Sequence, residues 1–253
     1  MRPRTPRPST GKADMDERGA GADSAVVLLS GGLDSLVAAH LATRAYRLRL
    51  AVTADYRQRA ADAEMAAAAQ QAAALGVEHQ GVHLPWLGGI SASALTDAGA
   101  ALPRLGANEL DDVAAAGATA AAVWVPNRNG VLLMVAAAYA EALGCDAVVM
   151  GINAEEGATF PDNTPQFADA AQRLLGYSSA RPLSVVCPVA EMTKTQMVMA
   201  AREHGIPLTT LHSCYEAGPG HCWECESCLR LKRALEDGGA WPSVSPHLHR
   251  TGR

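Results

Sequence analysis

Ser30, Gly31, Gly32, Leu33, Asp34 and Ser35 stand between a short apolar run, Ala25 to Leu29, and an amphipathic stretch from Asp34 to about Arg44. A strand that turns into a helix through two glycines flanked by hydroxyls makes a phosphate cradle. The glycines let backbone N–H groups approach an anion, and the helix N-terminus favours its charge. ATP is the first candidate ligand. The spacing is neither Gly-x-x-x-x-Gly-Lys-Ser/Thr nor the three-glycine dinucleotide turn, so a P-loop kinase and a Rossmann dehydrogenase are not indicated. A plain strand-to-helix connection is the competing reading, and the hydroxyls and Asp34 around the glycine pair weigh against it.

A second cluster carries metal chemistry. Cys214, Cys222, Cys225 and Cys228 are spaced Cys-x7-Cys-x2-Cys-x2-Cys, whereas Cys145 and Cys187 lie far away in apolar surroundings and read as core thiols. Four thiolates satisfy the tetrahedral preference of zinc, and the short intervals let one backbone knuckle deliver them together. Disulfides compete poorly in a reducing compartment. An iron-sulfur cluster is the other option, although the Cys-Pro that closes the bacterial ferredoxin run is absent. His212 and His221 flank the set but find no vacancy beside four thiolates, so they read as surface or outer residues.

These groups need elements to position them. The runs 25–29, 48–54 and 147–151 suit strands buried on two faces, and 77–84 is strand-like. Between them lie helical patterns: from Asp34 to Arg44, from Ala60 to Leu75 with Gly76 as its stop, an all-round apolar helix over 131–143 ending at Gly144, and a helix N-capped by Thr193 that runs to His204 before Gly205 and Pro207. Strand-helix alternation predicts an α/β fold, a parallel sheet with helices on both faces and its ligands at the strands' C-terminal ends, followed by the cysteine knuckle. The Ala- and Gly-rich stretch 88–119 is ambiguous and is a candidate lid.

The 253 residues carry 49% hydrophobic and 19% charged side chains, enough for one principal core. Residues 1–24 read as a disordered tail, 25–211 as the ATP-binding domain, 212–240 as a zinc-binding segment packed on it, and 241–253 as a flexible end. No membrane-length apolar run or signal-peptide pattern is present, which predicts a cytoplasmic protein. A net charge of −5 offers no broad basic surface, so no nucleic-acid partner is expected.

The hexapeptide resembles the SGGxDS signature of the PP-loop ATP pyrophosphatases, also described as adenine nucleotide α-hydrolase-like. With SGGLDS (30–35), DYRQR (55–59), VPNRN (125–129), GINAEEGATFPD (151–162), MTKTQ (192–196) and the cysteine-rich run from Ser213 to Arg230, the chain resembles the 7-cyano-7-deazaguanine synthase family from about Ala25 to Leu235. The resemblance implies a carbon–nitrogen ligase of queuosine biosynthesis. A 7-carboxy-7-deazaguanine carboxylate is adenylated, ammonia makes the amide, and a second adenylation on the amide oxygen gives the nitrile, with AMP and pyrophosphate released each time. It implies ATP, Mg²⁺ and Zn²⁺ as cofactors and leaves a homodimer open. Ser30, Gly31, Gly32, Leu33 and Ser35 would bind the β- and γ-phosphates, and Asp34 would hold Mg²⁺. Asp55 would lie near the nucleotide or cap its strand. Arg128 and Lys194 would neutralise charge developing on the phosphates. Gly151, Asn153, Phe160 and Asp162 would form the acceptor pocket.

The chain departs from the family pattern in that loop. Relatives typically read Ser-Gly-Tyr-Pro-Asp-Cys-Arg where this chain has Ala158 to Thr164, so a phenol hydroxyl is lost at Phe160 and a guanidinium at Thr164. Ala60 replaces a histidine, and Trp223 replaces the first glycine of the knuckle. Three other readings stay open: a diverged ligase for another acid or amine, a tRNA-sulfurating PP-loop enzyme, and a zinc-ribbon nucleic-acid-binding protein with an inactive nucleotide fold.

Overall fold

A computed structural model describes residues 23–248 apart from 105, 107–109, 111 and 112, with backbone alone for 113–116 and 118. In chain order the elements are β1 (Ser24–Leu28), α1 (Leu33–Ala42), β2 (Arg47–Asp55), α2 (Ala61–Leu75), β3 (Glu78–His83), α3 (Pro85–Gly89), α4 (Val113–Val123), α5 (Arg128–Ala142), β4 (Ala147–Val149), α6 (Ala154–Gly157), a 3-10 turn at Pro161–Asn163, α7 (Pro165–Ser178), β5 (Ser184–Val186), α8 (Lys194–Glu203), α9 (Glu226–Asp237), α10 (Trp241–Val244) and a 3-10 turn at Ser245–His247.

The five strands are parallel and ordered β3-β2-β1-β4-β5. The chain winds outward from β1 in one direction and then from β4 in the other. The crevice between the C-terminal ends of β1 and β4 is therefore the switch point at which open parallel sheets bind ligands. Alternation along β1 sorts the core. Ala25, Val27 and Leu29 pack with Leu36, Met197, Val198 and Leu235 of α1, α8 and α9, while Val26 packs with Leu133, Ala136 and Leu175 of α5 and α7. Helices thus cover both faces, as the alternating pattern predicts. Alanines at 38, 39, 51, 68, 72 and 147 are fully buried and fill the space where helix and sheet approach. Thr193 caps α8 through a reciprocal capping box with Gln196.

Four features differ from the sequence reading. β5 was not foreseen, because a three-residue strand is shorter than any periodicity window, and α7 was not assigned either. The apolar run at 147–151 ends as a strand at Val149, after which Gly151 bends to the phosphate loop. The end expected to be flexible, 241–253, folds back over residues 241–248: Val244 and Leu248 are buried in the core beside α9. Residues 1–22 of the expected tail, and 249–253, lie outside the described residues. In the ambiguous stretch 88–119, Ala94, Leu95 and Leu102 form a small apolar cluster with Val123, against which Phe160 and Tyr215 pack. Arg59 holds this segment by donating to the carbonyls of Asp97 and Ala100.

Candidate active site

A cavity of about 230 Å³ opens at the switch point, walled by Ser30, Gly32, Leu33, Asp34 and Ser35 on one side and by Met150, Gly151, Glu156 and Lys194 on the other. Helix α1 starts from Gly32 with no side-chain cap, so its first-turn N–H groups have no side-chain acceptor. The loop braces itself. The Ser30 N–H donates to Ser35 Oγ at 3.1 Å, the Ser30 and Ser35 hydroxyls lie 3.1 Å apart, and Ser35 Oγ donates to the Gly32 carbonyl at 3.3 Å. Gly31 has φ +83°, and a Cβ there would lie 2.8 Å from Ala67 Cβ, so only glycine lets the loop press on α2. Gly151 is equally constrained, since a Cβ would come within 2.6 Å of the Ser35 nitrogen.

A charge cluster sits on the cavity wall. Lys194 opens α8, and its ammonium donates to Asp34 Oδ2 at 2.9 Å and to Glu156 Oε1 at 2.8 Å. Burial works against its charge, but the Asp34 and Glu156 carboxylates outweigh that and raise the lysine above its ordinary value. Lys194 chiefly holds Glu156 below the usual carboxylate range, whereas burial pushes Asp34 up against the pull of the same lysine. Asn153 Nδ2 also donates to Asp34, at 3.0 Å.

Arg128, the first residue of α5, lines this cavity and a smaller adjoining one. The second is walled by Leu95, Val123, Trp124, Val125, Phe160 and Asp162, and it shares Arg128, Glu156 and Tyr215 with the first. Trp124 and Phe160 present nearly parallel rings with centroids 6.1 Å apart. Asp162 supplies a carboxylate, steadied by Asn163 Nδ2 at 3.1 Å. The two positions that depart from the family pattern have local work here. Asn163 orients Asp162, while Thr164 caps α7 by accepting the Phe167 N–H at 3.2 Å.

Most residues singled out in the sequence reach one of the two cavities, but three do not line either. Asp55 accepts the Arg57 N–H at 2.8 Å and pairs with His83 at 3.1 Å, which is the capping alternative. Asn153 is fully buried and acts through Asp34 and as the cap of α6 rather than in the acceptor pocket. Gly31 shapes the loop from behind. Conversely, Glu64, Glu156 and Tyr215 line the site without having been assigned a role, because no local pattern distinguishes them. Glu64 accepts Gln58 Nε2 at 2.8 Å, and its carboxyl is raised by burial.

The cysteine set closes as expected. The four sulfurs of Cys214, Cys222, Cys225 and Cys228 lie within 4.8 Å of one another, near the roughly 3.8 Å edge of a tetrahedron with Zn–S bonds of about 2.3 Å. Backbone N–H groups donate to the sulfurs, from Cys225 to Cys222 at 3.2 Å and from Cys222 to Cys214 at 3.4 Å, an arrangement suited to thiolates. The set fits a metal with no open position. Trp223 takes a positive φ of 59°, the conformation that favours glycine, and recovers contact by stacking on His221 at 4.8 Å and meeting Trp241 edge-on at 5.3 Å. Of the two readings for His212 and His221, the one that places them behind the ligands holds: both are buried, and His221 Nε2 accepts the Ser213 N–H at 3.3 Å.

Known proteins resemble this chain over most of its length. Residues 24–239 match the family described as queuosine biosynthesis protein QueC. A 7-cyano-7-deazaguanine synthase of Desulforudis audaxviator (strain MP104C) is 46% identical over 214 residues, 85% of this chain and 97% of that one. Another, from Methanosarcina mazei, is 39% identical over 231 residues, 90% of this chain and 99% of that one. Among solved structures, a 4-thiouridine synthetase–RNA complex with bound ATP aligns with a TM-score of 0.46 at 17% identity, covering 88% of this chain and 52% of that one. No described helix is long and apolar enough to cross a membrane. With its phosphate loop, lysine-centred cluster and cysteine knuckle inside the matched span, the chain belongs to the QueC family of queuosine biosynthesis proteins.

Proposed function

We propose that this protein is a 7-cyano-7-deazaguanine synthase, an ATP-dependent ligase that turns 7-carboxy-7-deazaguanine and ammonia into the nitrile while cleaving ATP to AMP and pyrophosphate. The observation that carries the reading is the junction of the two cavities at Arg128, Glu156 and Tyr215, beside Lys194. An adenylate-forming enzyme must bring an acceptor oxygen to the α-phosphate. A nucleotide seated on the phosphate loop and an acid seated against Phe160 would meet at that junction.

The chain's own residues then divide the work. Gly32 and the first turn of α1 hold the departing pyrophosphate through backbone N–H groups, with Ser30 and Ser35 as hydroxyl donors. Asp162 receives ring N–H donors of the deazaguanine, and Phe160 offers a stacking face. Arg128, which lines both cavities, supplies a cation placed where it can pair with the acid and with the α-phosphate. Lys194 neutralises charge that develops as the carboxylate oxygen attacks phosphorus and pyrophosphate leaves. Adenylation is required because hydroxide and oxide are poor leaving groups; once AMP is attached, ammonia displaces it to give the amide. A second adenylation on the amide oxygen lets AMP leave again with loss of protons from nitrogen, giving the nitrile. Asp34 and Glu156, two hard oxygen donors already converging on one cationic centre, would hold Mg²⁺, which supplies charge neutralisation of the phosphates. The cysteine knuckle would hold Zn²⁺ in a closed structural site.

Incubation with ATP, Mg²⁺, ammonium and 7-carboxy-7-deazaguanine, followed by mass spectrometry, tests the reading. It predicts 7-cyano-7-deazaguanine with AMP and pyrophosphate. Stoichiometric ADP and phosphate, or no nitrile, would overturn it.

A further inference from the structure

One arginine joins the cysteine knuckle to the charge cluster. Helix α9 begins at Cys225, its N-cap, and carries Cys228 in its first turn, so a metal on the knuckle fixes where this helix starts. One turn further on, the Arg230 side chain is mostly buried and engages its own helix and two other segments. Its Nε donates to Glu226 Oε1 at 2.9 Å, its Nη2 donates to the Leu110 carbonyl at 2.9 Å, and its Nη1 lies 3.9 Å from Glu155 Oε2. Arg233 brings a second guanidinium to the same Glu155 oxygen at 3.9 Å. The other oxygen of Glu155 accepts the backbone N–H of Lys194 at 2.7 Å, and the adjacent Glu156 accepts the Lys194 ammonium.

Glu155 therefore has two ends with different duties. One caps the start of α8, where a negative charge is favoured, and the other faces two guanidinium groups of the knuckle helix at ion-pair distance. We propose that Arg230 is a positioning residue: through Glu155 it sets the start of α8, and with it the placement of Lys194, so that the metal knuckle and the phosphate-facing lysine act as one unit. Its bond to the Leu110 carbonyl ties that residue into the same unit. The proposal concerns the lysine whose role is proposed above, but the contact itself is testable without turnover.

Hydrogen exchange of the Lys194 amide reads the Glu155 contact directly. In metal-loaded protein, Arg230→Met is expected to retain one metal per chain while the Lys194 amide exchanges at least about tenfold faster than wild type. Glu155→Gln, which lies outside the knuckle, keeps an acceptor oxygen but removes the charge that Arg230 holds, and is expected to give a similar rise. The double variant should exchange no faster than the faster single, since both changes break one path. Arg230→Lys, which keeps the charge without the forked donors, should recover part of the protection. In turnover assays, Arg230→Met should lower kcat about tenfold with KM for ATP within about threefold, the pattern of a lost transition-state interaction. Wild-type exchange at Lys194 in either single variant, or exchange accelerations that multiply in the double variant, would overturn the coupling. A wild-type enzyme that makes no nitrile would overturn the proposed function alone, leaving the exchange result to decide the clasp.

Discussion

The two adjoining cavities are built by opposite means. The loop side of the larger cavity, proposed above to seat the nucleotide, rests on one contiguous hexapeptide, and its chemistry is mostly backbone: uncapped N–H groups at α1 and glycines that no other residue can replace. The acceptor cavity draws Leu95, Trp124, Arg128, Phe160, Asp162 and Tyr215 from well-separated segments, and its chemistry is carried by side chains. A backbone site constrains its sequence locally and tolerates little change. A side-chain site draws its groups from several segments, so a change in one of them leaves the others in place.

Breaking the junction between the cavities should have the largest effect. Lys194→Met removes the cation shared by Asp34 and Glu156, and turnover measured by AMP release should fall by about 10²–10³-fold. The same variant has a pH signature. Glu156 is lowered in the folded protein, so the stability that its pairing with Lys194 contributes is present above the ordinary glutamate value and is lost as pH falls through the lowered one. Asp34, raised by burial, has the opposite sign and loses its unfavourable contribution on acidification. Lys194 is raised, so its side of the pair persists into alkaline solution. Denaturant midpoints should therefore show the wild-type advantage over Lys194→Met at neutral pH and its shrinkage below about pH 4.3.

Cys225→Ser tests the knuckle, a third region that depends on spacing alone. The variant should lose its metal by elemental analysis and unfold roughly 10 °C lower, given about 2–4 °C per kcal/mol for a chain of this size. Asp162→Ala attacks the acceptor cavity alone. Unpaired ring donors cost about 1–3 kcal/mol each, so kcat/KM for the acid should fall by about one to two orders of magnitude while ATP binding measured by calorimetry stays unchanged. The smallest effect is expected from restoring the family residues with Asn163→Cys and Thr164→Arg. Loss of the α7 cap should cost about 1 kcal/mol by chemical denaturation. Nitrile formation should not rise, because Arg128 already lines that cavity. A large gain in rate would show that the acceptor cavity had been redirected to another acid.

The same contrast explains what could be read from the sequence. The phosphate loop, the cysteine set, Arg128 and Lys194 were legible because each sits in a short pattern whose residue types have one economical use. The parallel sheet was legible because short, largely apolar strand runs such as those of β1 and the second half of β2 alternate with helical patterns. Asp55 was left between two readings because a strand-end aspartate can equally face a ligand or cap the next turn, and its bond from the Arg57 N–H is the capping one. Glu156 and Tyr215 were hidden because their importance is purely spatial: they stand where two cavities meet. The expectation of a flexible end failed because Leu248 and Val244 are single apolar residues whose partner surface, on α9, is formed only by folding.

The central claim is that both adenylations occur on oxygens of the acid bound beside the nucleotide. Turnover of 7-carboxy-7-deazaguanine labelled with ¹⁸O in both carboxylate oxygens, with mass analysis of the nucleotide products, tests it most directly. The account predicts two AMP per nitrile, each carrying one labelled oxygen, and unlabelled pyrophosphate. Label in inorganic phosphate alongside ADP, or AMP without label, would contradict it.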